Sequence, residues 1–143
     1  MKKYTLFIIV IFLSFTAKSQ CDEQVTNEAK SKLETSTYVK DFKVKLKTVT
    51  TSKDAKYMTY PIMLNKGTKY KFVLADDKAF EGRLIFELAN ERGRQLSSYI
   101  PEIKKHFSVL EYSCNASGMY FVNLEFENAK EGCGVLMYGI KNN

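Results

Sequence analysis

From Phe42 onward, apolar residues recur at every second position, and that period decides most of what this chain can become. Phe42, Val44 and Leu46 alternate with Lys43, Lys45 and Lys47; Tyr70, Phe72 and Leu74 stand among Lys69 and Lys71; Leu84, Phe86 and Leu88 follow the same rule. A period of two sends one set of side chains to a core and the other to solvent, as a half-buried antiparallel strand requires. Turn signals punctuate the pattern at Asn65-Lys66-Gly67, Asn90-Glu91-Arg92-Gly93, Asn115-Ala116-Ser117-Gly118 and residues 128–132. Eight strands are expected, within 42–47, 57–64, 68–75, 83–89, 95–100, 107–114, 119–127 and 134–140. Pro61 marks the second as an edge strand or a break. The expected fold is all-β, an antiparallel eight-stranded sandwich of jelly-roll type.

Ahead of the strands the period lengthens. Asp22 can cap a short helix reaching about Thr37, with Val25, Ala29 and Leu33 as a narrow apolar stripe. The helix is expected to lie on a surface, because its other faces carry Lys, Glu, Asn and Ser. Before it, Met1-Lys2-Lys3 supplies a positive start, residues 5–13 a charge-free apolar core, and Ala17-Lys18-Ser19 the small residues of a cleavage site. These are the parts of a secretory signal peptide. The expected organisation is a signal peptide over 1–19, a helical segment over 20–40 and a β-sandwich over 41–143. Export places the protein in the periplasm, at the outer membrane or outside the cell. The apolar run is short of the roughly 20 residues that span a bilayer, so no transmembrane span is expected after cleavage. Cys21 just past the run raises lipidation as an alternative, although Lys18-Ser19-Gln20 before it are poor lipidation neighbours.

Net charge is +6, from 22 Lys and Arg against 16 Asp and Glu. Cleavage would remove Lys2, Lys3 and Lys18 with no acid, leaving +3. That modest excess on an exported chain argues against nucleic acid as a partner. The excess is uneven, +5 over residues 20–75 and −2 over residues 76–143.

Three segments together resemble a known architecture. They are Leu64-Asn65-Lys66-Gly67-Thr68-Lys69-Tyr70-Lys71-Phe72, then Leu84-Ile85-Phe86-Glu87-Leu88 with Arg92-Gly93-Arg94-Gln95-Leu96, then Ser117-Gly118-Met119-Tyr120-Phe121-Val122. They resemble the small β-sandwiches of the pre-peptidase C-terminal type and the related GOLD-like domains. The chain also looks like an uncharacterised group of small secreted Gram-negative bacterial proteins, in which a Cys-led helix precedes the sandwich and a segment like Lys130-Glu131-Gly132-Cys133 opens the last strand. The resemblance implies a sandwich, with substrate adhesion as the associated role.

Candidate chemistry is sparse. Three cysteines in an oxidising compartment suggest one disulfide with one thiol left over. If 119–127 and 133–140 formed a hairpin, Cys114 and Cys133 would lie too far apart to bridge. Cys21 with Cys133 is therefore favoured, with Cys21–Cys114 as the alternative. His106, the single histidine, would lie far from Cys114 along a continuous strand, so a Cys–His dyad is not expected, and His106 reads as an exposed residue at a strand start. Asp76, Asp77 and Glu81 in one loop allow calcium in principle but fit a solvated turn better. No catalytic residue, cofactor or metal is assigned. Lys43, Lys45, Lys47, Lys69 and Lys71 form the ligand-patch candidate: if their strands lie side by side, they could meet an anionic glycan, a lipid head group or an envelope protein. Edge protection is the plainer reading of the same lysines. A neutral-sugar platform would instead use tyrosines such as Tyr57, Tyr60 and Tyr99. The expected function is that of a non-enzymatic binding or adhesion module of the envelope or the exterior. The rivals are a calcium-dependent or carboxylate-based hydrolase and a structural envelope component acting by self-association; oligomeric state is not legible.

Overall fold

The computed structural model describes residues 20–142, with side chains from residue 23 onward; the expected signal peptide lies outside the described residues. The elements in chain order are α1 (Gln20–Leu33), β1 (Thr37–Leu46), β2 (Tyr57–Leu64), β3 (Lys69–Asp76), β4 (Leu84–Asn90), β5 (Gly93–Ser97), β6 (Tyr99–Ile100), β7 (Lys105–His106), β8 (Val109–Ser113), β9 (Gly118–Phe126) and β10 (Gly132–Ile140). One sheet runs β1-β10-β3-β8, the second β2-β9-β4-β5, and β6 and β7 form a separate ribbon. All neighbours pair antiparallel. With the ribbon set aside and the other eight strands renumbered consecutively, the two sheets read 1-8-3-6 and 2-7-4-5. That is the jelly-roll order, two Greek keys folded face to face.

The inward sets of alternating residues meet as expected. Phe42 and Val44, Phe72 and Leu74, and Leu136 and Tyr138 from the first sheet pack against Ile62 and Leu64, Phe86 and Leu88, and Val122 and Leu124 from the second. The Phe72 ring lies 4.9 Å from Phe86 and 5.4 Å from Tyr138, and Phe42 stacks on Tyr60 at 4.7 Å. Pro61 is tolerated because β2 is an edge strand. At one end of the sandwich, glycines close around Phe126. A Cβ on Gly132 would lie 2.1 Å from its ring, and one on Gly82 would lie 2.7 Å from the Glu131 carbonyl oxygen, so both positions need glycine for close approach.

Helix α1 covers the outer face of the first sheet. Its stripe of Val25, Ala29 and Leu33 is buried against Val73 and Ala75 of β3 and Val135 and Met137 of β10. Strand β10 is thus apolar on both faces, which explains its run of buried residues from Gly132 to Gly139. The helix begins at Gln20, ahead of Asp22, and ends at Leu33 rather than near Thr37. Glu34 takes a left-handed φ of 54°, and the β-favouring Thr37-Tyr38-Val39 start β1 instead.

Ten strands are present among the described residues where eight are expected, because the expected strand 95–100 is interrupted and a two-residue strand, Lys105–His106, precedes the expected 107–114. Ser98 breaks the stretch 95–100. Its buried hydroxyl accepts the Phe86 N–H at 2.8 Å, and its own N–H donates to the Phe86 carbonyl at 2.8 Å. The chain turns there, and Tyr99–Ile100 pairs with Lys105–His106 in place of β4. Ser98→Ala leaves the Phe86 N–H unsatisfied in the core and is expected to cost about 1–3 kcal/mol, read as a lower urea midpoint at unchanged slope. A second correction concerns residues 119–127 and 133–140. They are no hairpin: β9 and β10 belong to different sheets, and residues 127–131 cross between them.

Candidate functional site

The lysines do not form a single patch. Strand β10 lies between β1 and β3, so the two lysine-bearing strands are not side by side. Lys43 and Lys45 pair opposite Val135 and Cys133 on the face that α1 partly covers. Lys45 holds its ammonium 5.7 Å from the Phe80 ring, and Lys47 lies exposed just beyond β1. Lys69 is exposed at the start of β3, whereas Lys71 is buried and donates to Glu34 at 2.7 Å. That hydrogen bond, with the lysine charge, holds the Glu34 carboxyl below the usual carboxylate range. One of the five cations is therefore spent inside the fold, pinning the C-terminal end of α1 to the sheet.

Cys114 is a buried free thiol. Its Sγ donates to the Ala116 carbonyl at 3.2 Å and lies 3.6 Å from the Tyr120 hydroxyl. Burial and the neighbouring Tyr112 and Cys114 raise the pKa of that phenol, so it is no base for the thiol. Cys133 is buried and is not among the free thiols. The side chain of Cys21 lies outside the described residues. His106 is not exposed as expected: its side chain is 9% accessible, its ring sits 4.4 Å from Tyr99, and Nε2 is 3.1 Å from a Glu127 oxygen. It serves the ribbon, tying β7 to the turn after β9.

The loop acids are engaged locally. Asp76 accepts hydrogen bonds from the Lys78 ammonium and, at 3.0 Å, from the Leu84 N–H. Burial pushes this carboxyl upward, but those two donors and the charges of Lys78 and Arg83 outweigh it, and it settles below the ordinary range. Asp77 accepts the Ala79 N–H at 2.9 Å, and Glu81 faces Lys130 at 3.6 Å. Among the described residues no three His, Cys, Asp or Glu side chains converge as a metal site.

The most site-like feature is on the outer face of the second sheet. A groove of about 440 Å³ is lined by Tyr57, Thr59, Ile85, Glu87, Arg94, Ser97, Tyr99, Pro101, Asn123 and Glu125, within the usual size range of small-ligand sites. Strand register explains its composition. Thr59, Asn123, Glu87 and Ser97 are cross-strand partners in one row, and Tyr57, Glu125 and Ile85 form the next. Tyr99 and Pro101, carried past the sheet edge by the turn at Ser98, form one wall; Tyr57 on edge strand β2 stands at the other. Thr59 donates to Asn123 Oδ1 at 2.8 Å, which orients the Asn123 NH₂ for donation elsewhere. Arg94 faces Glu87 at 3.6 Å. Burial, and next the charge of Glu87, raise the Glu125 pKa above the usual carboxylate range. Of the three tyrosines named from sequence, Tyr57 and Tyr99 line the groove, while Tyr60 turns inward onto Phe42. Sequence reading missed Glu87 and Glu125. Their signal was an acid at an outer-face position on each of two central strands, but it is readable only once those strands are known to be neighbours.

The same face turns apolar beyond the groove. Pro61 pairs with Phe121 and Met63 with Met119, and all four are exposed. No helix among the described residues is long and apolar enough to cross a membrane. No protein-family model matches the chain, and no curated protein is similar to it.

Proposed function

We propose that the chain is an exported, non-enzymatic binding module whose ligand, an extended saccharide, lies in the groove on the outer face of the β2-β9-β4-β5 sheet. The observation that carries this reading is the row structure of the groove, with tyrosines at its two margins and a polar floor of Asn123, Glu87 and Glu125 between them. Sugar rings offer an apolar C–H face to aromatic side chains and hydroxyl groups to acceptors, and this lining meets both needs. A peptide adding itself as an edge strand suits the sheet less well, because β2 carries Pro61 and the chain after β5 turns into the ribbon. The likeness to the pre-peptidase C-terminal and GOLD-like sandwiches belongs to the same proposal.

Titration of the labelled protein with soluble oligosaccharides is expected to shift amides of residues 57–59, 85–87, 97–101 and 123–125. Tyr57→Ala and Tyr99→Ala should each weaken binding roughly tenfold or more, while Lys43→Glu, Lys45→Glu and Lys47→Glu together change it less than twofold. Loss of binding in the lysine variant with none in the tyrosine variants would return the site to the other sheet. A hydrolase is the second reading, favoured by one observation: Glu87 and Glu125 are diagonal neighbours across β4 and β9, one with a raised pKa, as acid–base pairs require. Shortened oligosaccharides in the titration mixture, absent with Glu125→Gln, would establish it.

The reading includes a disulfide between Cys21 and Cys133. Cys114 is free, which leaves Cys21 as the remaining partner. In the sequence Cys21 stands four residues before Val25, at the same spacing as Val25, Ala29 and Leu33. The Glu34–Lys71 ion pair pins one end of the helix beside Gly139, the register partner of Lys71. From there, thirteen helical residues back to Cys21 rise about 20 Å. Six strand residues from Gly139 back to Cys133 also cover about 20 Å, so the two cysteines come level.

A further inference from the structure

We infer that the saccharide this groove selects carries free amino groups, in other words that it is an amino-sugar chain rather than an acidic or wholly neutral one. The inference rests on the groove reading above and adds a charge to it. The lining holds two carboxylates, Glu87 and Glu125, and one cation, Arg94. Arg94 is engaged with Glu87 at 3.6 Å. No cationic side chain among the described residues pairs with Glu125, although the chain as a whole has more Lys and Arg than Asp and Glu. One row holds Tyr57 beside Glu125 and Ile85 on its other side, and Tyr99 also lines the groove. A carboxylate beside an aromatic face suits an ammonium group, which gains a charge-assisted hydrogen bond from the one and a cation–π contact from the other. An acidic sugar would bring like charge to the same point and be rejected. The neighbouring carboxylate reinforces both effects, since bringing an ammonium between Glu87 and Glu125 relieves their mutual repulsion. The five lysines considered from sequence lie on or just beyond strands of the other sheet and do not line this groove, so they do not offset its sign.

The test uses the chain as folded, at pH 6.5, with four probes: a glucosamine hexamer, an N-acetylglucosamine hexamer, a galacturonate hexamer and hexalysine. The glucosamine hexamer is expected to bind in the groove at least tenfold more tightly than the acetylated one, and the galacturonate hexamer not to bind there. Glu125→Gln should weaken the glucosamine hexamer much more than the acetylated one and so remove most of that preference, with an unaltered amide spectrum away from the groove as the control for folding. Equal binding of glucosamine and acetylated hexamers, or a preference untouched by Glu125→Gln, overturns the amino-group inference and leaves the groove reading standing. Stronger groove binding by the galacturonate hexamer overturns it likewise. Tighter groove binding by hexalysine than by the glucosamine hexamer overturns it in favour of a basic protein segment. Absence of groove shifts with every sugar overturns both readings.

Discussion

Phe86→Ala is expected to destabilise the chain by about 3–5 kcal/mol, the largest effect of any single core truncation here. Phe86 is fully buried at the centre of the sandwich and is where the two sheets interlock. Its ring stacks on Phe72, which in turn stacks on Tyr138, so one truncation strips contacts from β3 and β10 as well as from β4. Its backbone also holds both hydrogen bonds of Ser98, the residue that starts the ribbon. Urea unfolding followed by tyrosine fluorescence measures the loss. A cost below about 1 kcal/mol would mean that the cavity refills, contrary to the close packing of aromatic rings around it.

The second large effect belongs to the proposed bridge. Cys133→Ser should cost roughly 2–5 kcal/mol, because a link closing more than a hundred residues removes much of the freedom of the unfolded chain. The loss should be equalled, not exceeded, by Cys21→Ser and by reduction of the parent. Intact mass supplies the chemical half of the test: the native protein should weigh two hydrogen atoms less than the reduced one, and a single thiol, Cys114, should alkylate only on unfolding. A lipid-sized mass increase at Cys21, or two reactive thiols, would remove the bridge from the account. The double variant lacking both cysteines distinguishes a lost bridge from a damaged core, since it should be no less stable than either single one.

Much of the sandwich was legible because alternation reports directly on burial. Tyr57–Leu64 has the expected limits, and Phe42, Phe72, Phe86 and Leu88 all face inward. What alternation cannot report is which strand lies beside which. Lys43 and Lys71 share a pattern, yet β10 separates their strands, and that single fact dissolves the basic patch. Residues 119–127 and 133–140 looked like a hairpin because they are consecutive and apolar, but a jelly roll sends them to opposite sheets. The ribbon was invisible for another reason: two-residue strands carry no period, and the cause of the break is the side-chain hydrogen bond of Ser98. The groove follows from all three. Its walls depend on the ribbon, and its floor depends on β9 lying between β2 and β4.

The position of β10 carries a consequence for how the chain is made. Strand β10, the last in the described chain, occupies the middle of its sheet, between β1 and β3, and also receives the helix from the start of the described chain. Synthesis delivers α1, β1 and β3 before β10, so the seam between β1 and β3 stays open until residues 132–140 arrive. Until those few residues emerge, β1 lacks its hydrogen-bonded neighbour in the sheet and the helix has only the β3 half of the surface it packs on. Partnerships spanning nearly the whole length make for slow closure. Residues 132–140 are thus the point at which the sheet closes and folding is committed.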